Sequence, residues 1–511
     1  MSSRQQHRRT AQDAALCSQT ILPRLAHRTF GFLDSIGLVT VYTSTPDVKL
    51  ILAQRFIRTF AYGLVALLLA AYLDALGISE THIGVFFGLT LVGDLFMVMA
   101  LTQVADVVGR RAILVLGAVL MTMSGLVFAF SGNYWVLLTA AVLGVISPSA
   151  TEVGPFKSIE ESALFTTVKT NLVDVLSWYS TAEFASVAAG LAVSGAIMEF
   201  LQDRLDWNFV QACRVIFLVY AGVGLMKVIL SSNMSSRIES WYDQDVDVSQ
   251  EQQLTQTSLC QGDVEAEEHD ASEHEPFIPS PSPPAASNNV NSLESAGVSI
   301  FSLDRHERLL LMKLCGLFAI DSCAVGLSSV PWQTYMVRTR FKVTDAQLGL
   351  IFMMANGFGA LGTISSSLLA RSYGNLITLA ITLTPSAVFL CFFGFANTIQ
   401  LMLLLIVTES FLSPIYLAPR NAFISQILTK SKRTASLGII TICKLATNAT
   451  GSFLTGFWAD RDMFWLAFLV AGSLKMIYVG GMLYTFLAVD RRIARVEKQR
   501  EVEQHGVQMA G

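Results

Sequence analysis

Apolar runs of roughly 20 residues, separated by short polar breaks, recur along the whole chain and limit its fold more than any single motif does. A helix of that length crosses the hydrocarbon layer while satisfying its own backbone hydrogen bonds, which loops and open sheets cannot do there. Helix candidates fall near 52–72, 82–104, 112–130, 134–153, 172–198 and 211–231. After a long polar interval they resume near 309–330, 346–369, 375–396, 399–418, 435–458 and 464–488. With 52% hydrophobic residues, 14% charged residues and 32 phenylalanines, the composition suits lipid better than a soluble core. The expectation is an all-α polytopic membrane protein with twelve transmembrane helices, six before the polar interval and six after it. Pro148, Pro385 and Pro414 are expected to bend the helices that hold them.

Lys and Arg predict the orientation. The N-terminal arm, Arg110 and Arg111, Lys157 and Lys169, Arg420 with Lys430, Lys432 and Arg433, and the C-terminal group from Arg491 to Arg500 all fall on one face. That face, with both termini, is expected to be cytoplasmic. Arg338, Arg340 and Lys342 break the pattern on the opposite face. The division that follows is an N-terminal arm (1–50), a first bundle (51–231), an acidic linker (232–304), a second bundle (305–490) and a tail (491–511). Residues 238–304 contain no Lys or Arg, while 243–275 hold eleven acidic residues ahead of a Pro/Ser stretch. Such a segment is expected to be a disordered tether, or a regulatory substrate for a kinase. No basic domain points to nucleic acid, the seven cysteines are scattered without a zinc or redox spacing, and neither a cofactor nor a metal is implied. A cleaved signal peptide is not expected either.

Between predicted helices two and three stands Asp106-Val107-Val108-Gly109-Arg110-Arg111. Gly109 permits a tight turn, Asp106 can accept charge-assisted hydrogen bonds, and Arg110 and Arg111 anchor the loop at a membrane surface. On this run, and on Pro419-Arg420-Asn421-Ala422-Phe423 continuing to Lys432-Arg433-Thr434-Ala435-Ser436-Leu437-Gly438, the chain resembles the major facilitator superfamily, including its fungal multidrug and small-molecule exporters. The resemblance covers about 50–231 and 305–490. It implies two bundles that rock about a central substrate site. Thr102 stands where members usually carry a glycine, and Arg371 occupies the second-half position matching Asp106. The gate residues that it implies are Asp106, Gly109, Arg110, Arg111, Glu152, Arg420 and Arg433, with surface anchoring as the plainer role of the arginines.

A charge facing lipid costs several kcal/mol, so charges within helices should face a cavity or one another. Asp94, Glu183, Asp321, Glu409 and Lys444 are the candidates for substrate binding or proton coupling, and structural ion pairing is the competing role. Lys475 can compensate one of the acids. Arg55 and Arg58 are expected to snorkel at a helix end, as Arg214 and Lys227 anchor helix six. Asn356 and Asn448 are uncharged pore candidates, and Phe86, Phe87, Trp178, Tyr179, Trp332 and Tyr335 are aromatic ones, packing being the plainer role of each.

The expected function is secondary transport of a small organic compound, as efflux with proton antiport. Without a nucleotide-binding motif, uphill movement needs an ion gradient. An importer or facilitator of a nutrient, metabolite or metal complex is the alternative, with a non-transporting receptor behind it. The plasma membrane is the expected location, a vacuolar or other organelle membrane the alternative. Enzymatic conversion is not expected, since lone serines, histidines and carboxylates make no catalytic constellation.

Overall fold

The structure, a computed structural model, describes residues 38–144, 146, 160, 164, 172–234, 305–427 and 433–510. The arm before residue 38, Pro148, Glu152 and the linker from 235 to 304 lie outside the described residues. After a short helical stretch at Leu38–Thr43 come α1 (Pro46–Ala66, resuming as Leu69–Ala75), α2 (Glu80–Val108) and α3 (Arg110–Phe130). They are followed by α4 (Tyr134–Gly144), α5 (Leu172–Glu199) and α6 (Phe209–Ser232). The second half contains α7 (Arg305–Leu327, resuming as Val330–Phe341), α8 (Asp345–Tyr373) and α9 (Asn375–Phe392). It ends with α10 (Ile399–Leu412, resuming as Leu417–Ile427), α11 (Arg433–Ala459) and α12 (Phe464–Ala510). Among the described residues, 10 helices are long and apolar enough to cross a membrane. The described part of α4 is too short to be one of them, and α11 has the length but carries Lys444, Asn448 and a run of hydroxyl residues.

Each broken helix has a local cause or a compensating contact. Ser329 stands at the N-cap position of the second piece of α7 without a side-chain capping bond, and Pro331 in its first turn lacks an N–H that the preceding piece would need. In α10, Pro414 stands in the turn between the two pieces. Pro385, by contrast, stays inside α9. At the break in α1, the Thr334 hydroxyl of α7 donates to the Ala66 carbonyl at 3.3 Å, so the second half satisfies a backbone group of the first.

The helix pairs repeat with an offset of six. In the first half α1 packs on α5, α3 on α6, and α1 on α6; in the second, α7 packs on α11, α9 on α12, and α7 on α12. The two halves meet where α2 packs on α11 and α5 on α8. Small residues allow these two seams. A Cβ on Gly456 would sit 2.4 Å from the Glu80 carbonyl oxygen, and one on Gly195 would sit 2.5 Å from that of Asp345. The short loops repeat too: Gly109 before α3 and Gly374 before α9 have φ of 105° and 85°, a region that side chains with a Cβ rarely enter.

Candidate functional site

Between the seams lies a cavity of about 160 Å³, with walls from both halves. Tyr62 of α1 and Phe184 of α5 face Ser328, Ser329 and Gln333 at the α7 break, Phe352 and Asn356 of α8, Glu409, Ser410 and Tyr416 of α10, and Lys475 of α12. The α7 and α10 breaks thus open onto it, which is where irregular backbone is tolerated at membrane depth. Lys475 Nζ lies 3.4 Å from Glu409 Oε1, which also accepts from the Ser386 hydroxyl at 3.3 Å. Gln333 donates to the Ser328 carbonyl at 2.7 Å, and Asn356 to that of Phe352 at 2.9 Å. Such a chamber can hydrogen-bond and ion-pair with a polar solute while Phe184 and Phe352 cover its carbon skeleton.

A second ionic group lies beyond the Tyr416 wall. Arg420 Nη1 donates to Asp321 Oδ2 at 2.9 Å, and the Tyr416 hydroxyl donates to the same oxygen at 3.4 Å. Arg420 and Lys444 both face the Phe318 ring, at 5.3 and 5.8 Å from its centroid. Asp321 is fully buried and Arg420 is 3% exposed. Arg420, a gate candidate by sequence, therefore joins Asp321 inside the helix bundle, and Lys444 shares the Phe318 ring with it.

The third group belongs to the first half. Arg55 of α1 pairs with Glu183 of α5 and lies 4.7 Å from the Tyr179 ring centroid. Glu160, in the segment between α4 and α5, receives Arg58 at 2.9 Å, Lys227 of α6 at 3.7 Å and the Tyr179 hydroxyl at 2.7 Å. Burial alone favours the neutral acid, but Arg58, Lys227 and Arg55, with the Tyr179 hydrogen bond, outweigh it and hold Glu160 down at about 2. The expectation that Arg55 and Lys227 anchor helix ends is corrected here, since both are buried. Pairing with acids on other helices removes the need for either to reach the surface. Periodicity along α1 places Arg55 but says nothing of α5, so only the fold reveals Glu183 as its partner.

The bundle is joined across the halves at the end that carries Glu80. The Tyr335 hydroxyl donates to Glu80 Oε1 at 2.7 Å, and Thr81 donates to Asp460 Oδ2 at 3.0 Å. Asp345 accepts from Gln202 at 2.7 Å and Arg338 at 2.6 Å, while Arg338 covers the Phe209 ring at 4.0 Å. Phe87 meets Trp332 edge-on at 5.3 Å, so four of the aromatic candidates (Phe86, Phe87, Trp332 and Tyr335) fill this end, and Tyr179 belongs to the Glu160 group. The charge exception on this face is explained as well. Arg338 is paired, Arg340 donates to the Gly394 carbonyl at 2.6 Å, and Lys342 is exposed.

At the opposite end, Gly109 supplies the positive-φ turn, Arg110 is buried and Arg111 donates to the Ser232 carbonyl. Asp106 lies in the last turn of α2 and Arg433 opens α11, but their side chains are outside those described, as is Glu152. Asp94 is buried in α2, and Asn448 packs against Gly326 of α7. Gly190 meets Gly63 of α1 and Gly195 meets Gly349 of α8, so both act in helix packing.

Residues 314–508 match the family model described as Major Facilitator Superfamily. The uncharacterized membrane protein YJR124C of Saccharomyces cerevisiae is 30% identical over 453 residues, which span 88% of this chain and 96% of that protein. The chain belongs to the major facilitator superfamily. As a member it is a secondary transporter of small molecules that works by alternating access, and not an enzyme. The fold agrees with that of solved transporter structures. The xylose transporter XylE from E. coli, in a partially occluded inward-open conformation, superimposes with a TM-score of 0.61 at 11% identity, covering 86% of this chain and 98% of that one. The nucleoside transporter NupG gives 0.58 at 9% identity, covering 86% and 99%.

Proposed function

We propose that this superfamily member carries a small, polar organic metabolite through the cavity between α1, α5, α7, α8, α10 and α12, in the direction of uptake or facilitated entry rather than efflux. The observation that carries the reading is the lining: a Glu409–Lys475 pair with Gln333, Asn356 and serine hydroxyls around them. Lipophilic efflux cargo needs no such array of hydrogen-bonding groups, whereas a polar solute must recover on binding the hydrogen bonds it gives up to water. Structures of the same fold include a nucleoside transporter and a D-xylose-proton symporter, both handling polar solutes by their titles. Twelve crossings in two six-helix bundles complete the reading, with the Arg110 end cytoplasmic and the Glu80 end facing away from the cytoplasm. With the halves joined at the Glu80 end, this reading puts the molecule on the inward-facing side of the cycle. Asp106, Gly109, Arg110, Arg111, Glu152 and Arg433 serve the cytoplasmic gate. Asp321 and Glu409 are the candidates for coupling to protons, because each is an acid buried beside the cavity.

Purified full-length protein in sealed vesicles, offered a panel of radiolabelled polar metabolites and lipophilic cations, tests the proposal. Saturable flux of a polar metabolite, reduced at least tenfold by Glu409→Gln or Lys475→Met, is the expected result. Flux confined to the lipophilic cations overturns it, and ligand binding with no flux in either direction favours the receptor reading. Reversing the imposed pH gradient decides on proton coupling: a coupled carrier reverses its net flux with it.

A further inference from the structure

The cavity wall offers one charge of each sign. Glu409 and Lys475 are the charged residues among those lining it, and Asp321, Arg420 and Lys444 are not in the wall. Both side chains are largely buried, with 9% and 4% of their surface exposed, yet each has bonding capacity left over. Glu409 Oε1 accepts both the Lys475 ammonium at 3.4 Å and the Ser386 hydroxyl at 3.3 Å, which leaves Oε2 without a hydrogen bond among the described residues. The Lys475 ammonium has three N–H groups and uses one in this contact. The contact is single and long, so neither partner is held by a bidentate bond. Elsewhere in the wall, the Ser329 hydroxyl is buried without a hydrogen-bond partner.

Such a wall discriminates solutes by charge. A neutral solute leaves the pair intact and gains only hydrogen bonds from it. An anion or a cation can reach one partner, but it brings a net charge into a low-dielectric chamber whose two wall charges cancel. A zwitterion adds no net charge and engages both: its carboxylate accepts from Lys475 and its ammonium donates to Glu409, so two ion pairs replace one long one. Because the wall charges stand 3.4 Å apart, those of the solute must be close together too. An ammonium and a carboxylate on one carbon meet that condition, whereas those at the two ends of a longer chain meet it only by folding the chain back. The cavity of about 160 Å³ is close to the space of about 150 Å³ that takes up a benzene-sized body, which suits a single amino acid. Resting on the transport reading above, we infer that the solute is a free α-amino acid, held head to tail between Glu409 and Lys475. Phe184 and Phe352 then lie against its carbon atoms, and the Ser329 hydroxyl is a further donor for its carboxylate.

Solutes of matched shape test this on the full-length protein. Alanine and leucine are each compared with the amide, the 2-hydroxy acid and the 2-hydroxy amide of the same skeleton, which are cation, anion and neutral. Binding is read from the shift in thermal midpoint in detergent, and transport from vesicle flux. At least one of the two amino acids is expected to bind about tenfold more tightly than each of its three analogues. In Glu409→Gln the preference should pass to the 2-hydroxy acid, because Lys475 is left without its carboxylate. In Lys475→Met it should pass to the amide, because Glu409 is left without its cation. A purely structural ion pair would instead weaken all four solutes alike, and that result, in variants that keep a cooperative thermal transition, overturns the inference. Where a variant loses that transition, the wild-type comparison decides: an analogue that binds as tightly as its amino acid, or no midpoint shift with either amino acid, overturns it as well. Amino-acid binding without flux would remove the transport reading and leave the zwitterion site standing, whereas flux of the neutral hydroxy amides alone would do the opposite.

Discussion

Glu160 shows how far one residue depends on its neighbours. Three cations and a tyrosine hydroxyl converge on a carboxylate with no solvent exposure, and its pKa near 2 lies below the ordinary glutamate value of about 4.3. Because the folded state holds the proton less tightly than the unfolded chain, the ionised form stabilises the fold. That contribution is complete above about pH 4.3, shrinks as the pH falls, and is gone once the pH passes below about 2. Its size is on the order of 3 kcal/mol. A comparison of wild type with Glu160→Gln by thermal denaturation should show a constant gap from neutral pH down to about 5 and a closing gap below. A gap that closes between pH 8 and 6 would mean that the acid titrates near neutrality and that the cations do not hold it ionised. Arg58 and Lys227 are readable in the sequence as charges within helices, but their common partner is not. Glu160 follows α4 outside every apolar run, and no spacing rule connects it to α1 and α6.

At the scale of helices, the seams between halves depend on residues that have almost no side chain. Gly456 of α11 faces Gly84 of α2, and an added Cβ on Gly456 would stand 2.4 Å from the Glu80 carbonyl oxygen and 2.7 Å from the Gly84 Cα. Backbone cannot yield as a flexible side chain can, so Gly456→Val is expected to hold this seam apart. The result should be a molecule that opens more often at the Glu80 end, seen as faster labelling of a cysteine placed at Gln333 by a membrane-impermeant thiol reagent added from that side. Gly357→Ala, where a Cβ would meet nothing within 4 Å, provides the control and should label at the wild-type rate. Equal rates in the two variants would show that the seam does not govern access. A small residue within an apolar run is easy to see in sequence. Its facing partner is not, since Gly190 serves α1 of its own half while Gly195, little more than one turn away, serves α8 of the other.

For the whole molecule, the repeated helix pairs and the contacts at the Glu80 end describe a transporter caught in one of its states. The inter-half bonds of Glu80, Asp345 and Asp460 must part for the cavity to open on that side. Replacing Arg338 with alanine removes both the Asp345 pair and the cover over Phe209, so the open state should gain population. Distance measurements between spin labels on α2 and α11 should then show a larger long-distance fraction at the Glu80 end, and an unchanged distribution would mean that Arg338 only packs.

The repeated apolar runs by themselves determined the membrane class and most of the helix order, because a chain in lipid must bond its own backbone within each segment. The turn from Asp106 to Arg111 located a positive-φ glycine, since only that residue tolerates the geometry. Tertiary structure alone decided which charges meet: Arg55 with Glu183, Glu160 with Arg58 and Lys227, Asp321 with Arg420, and Glu409 with Lys475. Periodicity along one helix orients a side chain about its own axis, whereas the partner comes from another helix, and its identity is set by how the helices cross around the cavity.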